Sequence, residues 1–205
     1  MKATSKKIFT FAIFALFSYY SYAQAGIGGG YATSNITEMV DGYTYSYELT
    51  GFYLELNSRI EINDKLSATP TIKYVNATGL LPGSGNRGQW REQYLDIPLK
   101  LNYERTNSNG FGLSLFVAPT FSYCLVSQFK YEGIVGDFAD RIEYDYGVSG
   151  AYKPEDWAVT FGLTILLGDR VSVGVDYLMG LTDRSDADWS VIKRNGLNAG
   201  LSFVW

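Results

Sequence analysis

The chain has 205 residues, with 17 lysine and arginine residues against 21 aspartate and glutamate residues, and it contains no histidine. This acidic balance argues against a nucleic-acid-binding protein, which would carry a basic surface. Glycine (22 residues) and tyrosine (17) are abundant while proline (5) is scarce, which favours one all-β domain of many short strands.

The amino terminus has the layout of a secretion signal. Lys2, Lys6 and Lys7 precede an apolar run at 8–20, and small residues follow at 21–25. The run is too short for a good membrane-spanning helix. We therefore predict a signal peptide at 1–23, cleaved after Ala23 or alternatively after Ala25, and a barrel domain at 24–205. A retained amino-terminal anchor is the other interpretation.

The remaining chain alternates apolar and polar residues. Between 52 and 62, one face carries mostly large apolar side chains, and the other carries Tyr53, Glu55, Asn57, Arg59 and Glu61. Side chains of a strand point to opposite faces with period two, so this segment is predicted to be a strand with one apolar face. Such segments occur at 26–34, 52–62, 66–75, 94–103, 111–126, 157–167, 171–181 and 195–205.

The connections between these segments alternate in length. Those at 63–65, 104–110 and 168–170 are short, whereas those at 35–50, 76–93, 127–156 and 182–194 are long. Short periplasmic turns and longer outer loops are typical of outer-membrane barrels. The sequence therefore predicts an all-β, eight-stranded, antiparallel up-and-down transmembrane β-barrel in the outer membrane of a Gram-negative bacterium.

The alternation alone does not say which face is outside. A soluble barrel that binds an apolar ligand would turn its apolar face inward. Four features favour the membrane orientation. The apolar face is nearly free of charge, and the other face is rich in small residues. Aromatic residues fall near strand ends, as in interfacial girdles, and the chain ends on the alternating residues Leu201, Phe203 and Trp205. The aromatic residues near strand ends are Tyr74, Tyr103, Phe111, Tyr123, Trp157, Tyr177 and Trp205.

In this orientation, charged residues face the lumen. They are Glu55, Arg59, Glu61, Lys73, Asp96, Lys100, Glu104 and Asp176. Unpaired charge is costly in a narrow lumen, so we expect ion pairs that form a closed polar plug. The alternative is a narrow pore for small solutes or ions, although water-filled porins have about 16 strands.

The sequence shows no constellation of catalytic residues. Many hydrolytic enzymes activate a serine or a water through a histidine, which this chain lacks. We therefore expect a non-enzymatic protein with no catalytic residue, metal or cofactor. The longest predicted loop, at 127–156, interleaves tyrosines with charged residues. It either simply extends the hairpin above the membrane or offers a surface to a partner or a carbohydrate.

Several segments resemble the porin-family outer-membrane β-barrel domain that is abundant in Bacteroidota. The resemblance rests on Val117-Ala118-Pro119, on 177–182, on the last strand from Asn195, and above all on Tyr94-Leu95-Asp96-Ile97-Pro98-Leu99-Lys100-Leu101. It departs from the family in Asp96, where glutamate is commoner, and in Trp205, where phenylalanine is commoner. The resemblance implies location and architecture, with membrane lipids as neighbours, but no substrate. The alternating end Leu201, Phe203 and Trp205 is the predicted signal for the outer-membrane assembly machinery.

Overall fold

The structure is a computed structural model that describes residues 24–80, 88–107, 110–135, 138–145, 153–168, 170–187 and 189–205, without the side chains of 131–135 and 138–145. The predicted signal peptide at 1–23 lies outside the described residues. Within the described part of the chain, no helix is long and apolar enough to cross a membrane.

In the part of the chain that the structure describes, nine strands form one antiparallel sheet that closes on itself. They are β1 (Gln24–Val40), β2 (Tyr43–Asn63), β3 (Leu66–Leu80), β4 (Gly88–Thr106), β5 (Phe111–Val135), β6 (Phe138–Asp145), β7 (Glu155–Leu167), β8 (Val171–Gly180) and β9 (Ser190–Val204). The order is β4-β3-β2-β1-β9-β8-β7-β5-β6, and β4 also pairs with β5. Strand β7 pairs with residues 111–123 of β5, and β6 pairs with residues 128–135 of the same edge of β5. The ring therefore has eight positions, which confirms the predicted barrel.

The apolar face of the barrel points outward. Leu54 and Leu56 are 55% and 58% exposed, whereas Glu55 between them is 7% exposed. The same alternation holds on β4, where Leu99 and Leu101 are exposed and Asn102 is buried. A soluble barrel would need the opposite arrangement. The outer surface is therefore an apolar band of the kind that contacts lipid.

The three connections that were predicted to be short are short, because only 64–65, 107–110 and 168–170 separate the flanking strands. In the β2–β3 turn, the Asn63 side-chain oxygen accepts hydrogen bonds from the amides of Lys65 (2.9 Å) and Leu66 (3.0 Å). The other two turns contain Gly110 and Gly168, with φ of 77° and 82°. Only glycine adopts such angles freely, so these residues allow the strands to reverse within a few residues.

The long connections are shorter than predicted, because the strands extend into them. The segment 35–50 is a continuous hairpin of β1 and β2, and its tip is Asp41-Gly42 with φ of 48° and 82°. Positive φ at both central residues matches the twist of a two-residue hairpin turn. The segments 76–93, 127–156 and 182–194 likewise contain the ends of β3, β4, β5 and β9 and all of β6. The strands therefore continue beyond the apolar band.

Candidate functional site

The lumen is the candidate functional site, and its charged side chains lie in three layers. The layer nearest the short turns, here called the periplasmic layer, centres on Arg59. Its guanidinium lies 2.6 Å from Glu104 and 3.4 Å from Glu61. The Ser67 hydroxyl donates a hydrogen bond to the second oxygen of Glu104 (2.7 Å).

Glu61 lies at the rim of the lumen, where it lines the mouth of the barrel. Its side chain is 62% exposed, while that of Glu104 is 8% exposed. Glu61 occupies the last inward-facing position of β2 before the turn, where the barrel opens to solvent. Its ion pair with Arg59 is therefore an exposed one and contributes little to stability.

The middle layer joins opposite walls of the barrel. Lys73 on β3 forms a 2.8 Å ion pair with Asp176 on β8 and lies 3.9 Å from Glu55 on β2. Lys100 on β4 lies 3.3 Å from the same oxygen of Glu55. The Lys73 ammonium also lies 4.6 Å from the centre of the Tyr53 ring. Because these groups are largely buried, each charge depends on its partners for stabilisation.

The outer layer is organised around Tyr94. Arg194 forms two hydrogen bonds to Asp96, of 2.8 and 3.0 Å, and its guanidinium carbon lies 3.6 Å from the centre of the Tyr94 ring. Arg184 donates to the Tyr94 hydroxyl (2.6 Å), and that hydroxyl donates to Glu92. Among the described residues, direct contacts therefore join Arg184, Arg194, Glu92, Asp96 and Tyr94 at this level of the barrel.

Three members of the outer layer were missed by the sequence analysis. Glu92, Arg184 and Arg194 fall in segments that were predicted to be loops, yet all three are at most 2% exposed. For Arg194 a signal was present, because it shares even-numbered spacing with the inward-facing residues Asn198 and Ser202. Arg184 lies on the β8–β9 connection and had no periodic signal.

Above the outer layer, apolar side chains pack inside the barrel. Trp90 lies at the centre of this apolar cap, with the Tyr47 ring 5.1 Å away and its indole N–H directed at the Ser127 hydroxyl (3.3 Å). The cap consists of Ile36, Leu49, Ala77, Trp90 and Ile192, with Tyr47 packed against it. It lies at the end of the barrel opposite the short turns.

A cavity of about 430 Å³ occupies the half of the lumen near the short turns. It extends from the turns to Tyr53 and Asp176. Its far wall is built of small residues, namely Ser172, Gly174, Gly200 and Ser202. A Cβ at Gly200 would collide with the Tyr53 hydroxyl. The absence of a side chain at Gly200 thus lets Tyr53 extend across the lumen at the inner end of the cavity.

The outer end of the β1–β2 hairpin exposes aromatic residues. Tyr43 and Tyr45 are 70% and 49% exposed and, with Tyr47, occupy alternate positions on the inward-facing side of β2. We call these three residues the tyrosine stripe. Glu38 pairs with Tyr45 across the hairpin, and partial burial raises the pKa of the Glu38 carboxyl. The side chains of the predicted partner loop at 127–156 lie largely outside the described residues.

The remaining residues singled out from the sequence occupy both faces of the wall. In the family motif on β4, Tyr94, Asp96 and Pro98 are buried in the lumen, while Leu95, Ile97 and Leu99 take the outward positions. At the carboxyl end, the outward side chains Leu201, Phe203 and Trp205 are 57%, 55% and 69% exposed. The motif therefore supplies both a lumenal carboxylate and lipid-facing surface.

Comparisons with known proteins agree with this architecture. Residues 7–186 match the family described as outer membrane protein beta-barrel domain. None of the curated proteins matches the sequence significantly. Neisserial surface protein A is similar in structure, with 9% identity, 88% of this chain and 97% of that chain covered, and a TM-score of 0.51.

Two further solved structures have similar coverage and lower scores. The attachment invasion locus protein Ail of Yersinia pestis is 14% identical over 89% of this chain and 99% of its own, with a TM-score of 0.49. The outer membrane protease OmpT from Escherichia coli is 8% identical over 90% and 97%, with a TM-score of 0.42. At such identities the likeness concerns the fold and not the activity.

Proposed function

Because the chain belongs to the family of outer membrane protein β-barrel domains and is located in the outer membrane, we propose that it is a barrel with a closed polar lumen. The protein has a structural role, or it interacts with a partner through the strands that extend beyond the outer face of the membrane. Transport through the lumen is not part of this role.

The observation that carries the proposal is the outer layer together with the apolar cap. Arg194, Asp96 and Tyr94 are each at most 2% exposed, and Arg194 contacts both of the others. Trp90 and its neighbours lie directly beyond them. An ion would have to displace paired buried charges and then cross apolar packing, and both steps are costly.

We propose a non-enzymatic role, and the ion pairs of the buried carboxylates support it. Asp96, Glu104 and Asp176 each lie within 2.8 Å of a cationic side chain. A general acid or base must instead exchange a proton with a bound substrate. These carboxylates are placed to stabilise arginine and lysine side chains across the barrel.

Conductance in planar bilayers tests the closed lumen. We expect the full-length barrel to give no stable current steps under conditions in which a general porin, reconstituted in the same way, conducts. Reproducible, ion-selective steps from the wild-type protein would overturn the proposal. Folding of the inserted protein is verified by its heat-modifiable migration on mild SDS gels.

A narrow pore remains the second candidate, and the cavity favours it. The cavity reaches Tyr53 and Asp176, so roughly half of a path already exists. If the protein conducts, Lys73→Gln changes the ion selectivity, because Lys73 pairs with Asp176 and Glu55, which line the inner end of that path. If it is a plug, the same substitution lowers stability and leaves the current at baseline.

We also propose the processing and the partners of the chain. Residues 1–23 are removed as a signal peptide, a proposal supported by the lysines at the start, the apolar run at 8–20 and the small residues at 21–25. The apolar band contacts outer-membrane lipids, the carboxyl-terminal residues engage the assembly machinery, and the segment at 127–156 offers a surface to a partner. The mass of the mature protein distinguishes cleavage after Ala23 from cleavage after Ala25 and from a retained anchor.

A further inference from the structure

One arrangement of three groups occurs twice inside the barrel. A cation lies over a tyrosine ring, and a carboxylate two positions along the same strand shares that cation. Lys73 lies over Tyr53 at 4.6 Å and 3.9 Å from Glu55. Arg184 lies over Tyr94 at 5.1 Å and 3.8 Å from Glu92. In both sets the ring and the carboxylate hold the cation from two sides.

The outer hairpin also brings a tyrosine ring and a carboxylate together, but across two neighbouring strands instead of along one strand. Tyr45 and Glu38 are directly opposed across β1 and β2 and share the inward-facing side of the hairpin. Among the described side chains, none forms a salt bridge with Glu38. Residues 34–50 include Glu38, Asp41 and Glu48 but no lysine or arginine. The hairpin therefore supplies aromatic faces and negative charge without a cation of its own.

From this we propose that the inward-facing side of the β1–β2 hairpin binds the lysine or arginine side chains of a basic extracellular peptide. The inference rests on the proposed surface role and names the chemical class of the partner. The charge of the hairpin disfavours anionic partners such as phosphorylated or sulfated glycans. Exposed Tyr43 and Tyr45 supply the rings, and Glu38 supplies the counter-charge.

The spacing of the tyrosine stripe indicates the form of the peptide. Tyr43 and Tyr45 are two residues apart on one strand, so their rings emerge about 7 Å apart. Side chains at alternate positions of an extended peptide have the same separation. A peptide with basic residues at every second position can therefore place one cation over each ring.

Binding of labelled peptides to the full-length barrel in nanodiscs of zwitterionic lipid tests the proposal. The probe is fluorescein-labelled Lys-Ser-Lys-Ser-Lys-Ser-Lys, the comparison peptide has glutamate in place of lysine, and the readout is fluorescence anisotropy. We expect the basic peptide to bind, the acidic peptide not to bind, and the affinity to fall as salt is raised.

Variants of the hairpin distinguish peptide binding at the tyrosine stripe from general electrostatic attraction. Loss of two rings in the double variant Tyr43→Ser, Tyr45→Ser should weaken binding about tenfold. The double variant with phenylalanine at both positions keeps the rings and should retain binding. Glu38→Gln should also weaken it. Thr44→Ala and Met39→Ala, on the outward-facing side of the same hairpin, serve as matched controls and should change nothing.

Three results would overturn the inference: no binding of the basic peptide, equal binding by the serine double variant, or displacement of the peptide by neutral oligosaccharides. Heat-modifiable migration shows that each variant is folded. Conductance of the same preparations keeps the two proposals apart. Current steps with intact peptide binding would remove only the closed lumen, whereas silent bilayers without peptide binding would remove only this inference.

Discussion

Replacing Arg194 with methionine should destabilise the barrel by about 3–5 kcal/mol, the usual cost of removing one partner of a buried ion pair. Arg194 is 2% exposed, and it makes two short hydrogen bonds to Asp96 and lies on the ring of Tyr94. The variant leaves Asp96, which is 1% exposed, without its closest counter-charge. Methionine keeps much of the side-chain volume, so the loss reflects charge rather than a cavity.

The neighbouring residue provides the control. Lys193 lies on the same strand but faces outward and is half-buried, so Lys193→Met should change stability by less than about 0.5 kcal/mol. Both variants are unfolded with urea in lipid vesicles, and the folded fraction is read from gel migration. Equal free energies of unfolding for the two variants would refute the assignment of Arg194 to a buried network.

A double variant tests the cause of the loss. Adding Asp96→Asn to Arg194→Met removes the stranded negative charge, so part of the lost stability should return. Replacing both partners of a buried pair by uncharged groups is often nearly neutral. If the double variant is as unstable as the sum of the two single variants, the two side chains do not act as a pair.

Further predictions concern the wall, the periplasmic layer and the carboxyl end. Leu99→Arg places a charge in the lipid-facing band and should lower the free energy of unfolding by about 2–4 kcal/mol. The Lys100→Leu variant should fold into vesicles more efficiently than the Leu99→Arg variant. The reverse order of folding efficiency would invalidate the assignment of the two faces. Arg59 is 29% exposed, so Arg59→Ala should cost only about 1 kcal/mol and leave bilayer current at baseline, in contrast to a pore-lining role. Deletion of Trp205 should lower the amount of heat-modifiable barrel in outer membranes without changing synthesis, and unchanged assembly would contradict the predicted signal.

The fold could be predicted from the sequence because the two faces of the barrel wall have different surroundings. Lipid on one side and a packed lumen on the other impose a strong contrast at every second residue, as at Leu54 and Glu55. Beyond the apolar band both faces meet water, and the contrast fades. Arg91 and Gln93 are polar and flank Glu92, so this end of β4 has the composition of a loop although it is a strand.

The ion-pair partners in the lumen could not be predicted from the sequence. The alternation shows which side chains face the lumen, but it does not show how far each one lies along the barrel axis. Lys73 meets Asp176 from a strand on the far side of the ring, a pairing that depends on strand stagger. Arg184 depends on a non-local fold of the β8–β9 connection, in which its amide bonds to the Ile192 carbonyl (2.9 Å). No local pattern encodes that contact.

The cavity near the short turns and the exposed tyrosines lie at opposite ends of the barrel. The lining of the cavity includes Arg59 and Ser202, whereas Tyr43 and Tyr45 are exposed at the opposite end of the barrel. Tyr94 and its arginines lie between the two. We therefore expect substitutions of the exposed tyrosines at one end to leave the lining of the cavity at the other end unchanged.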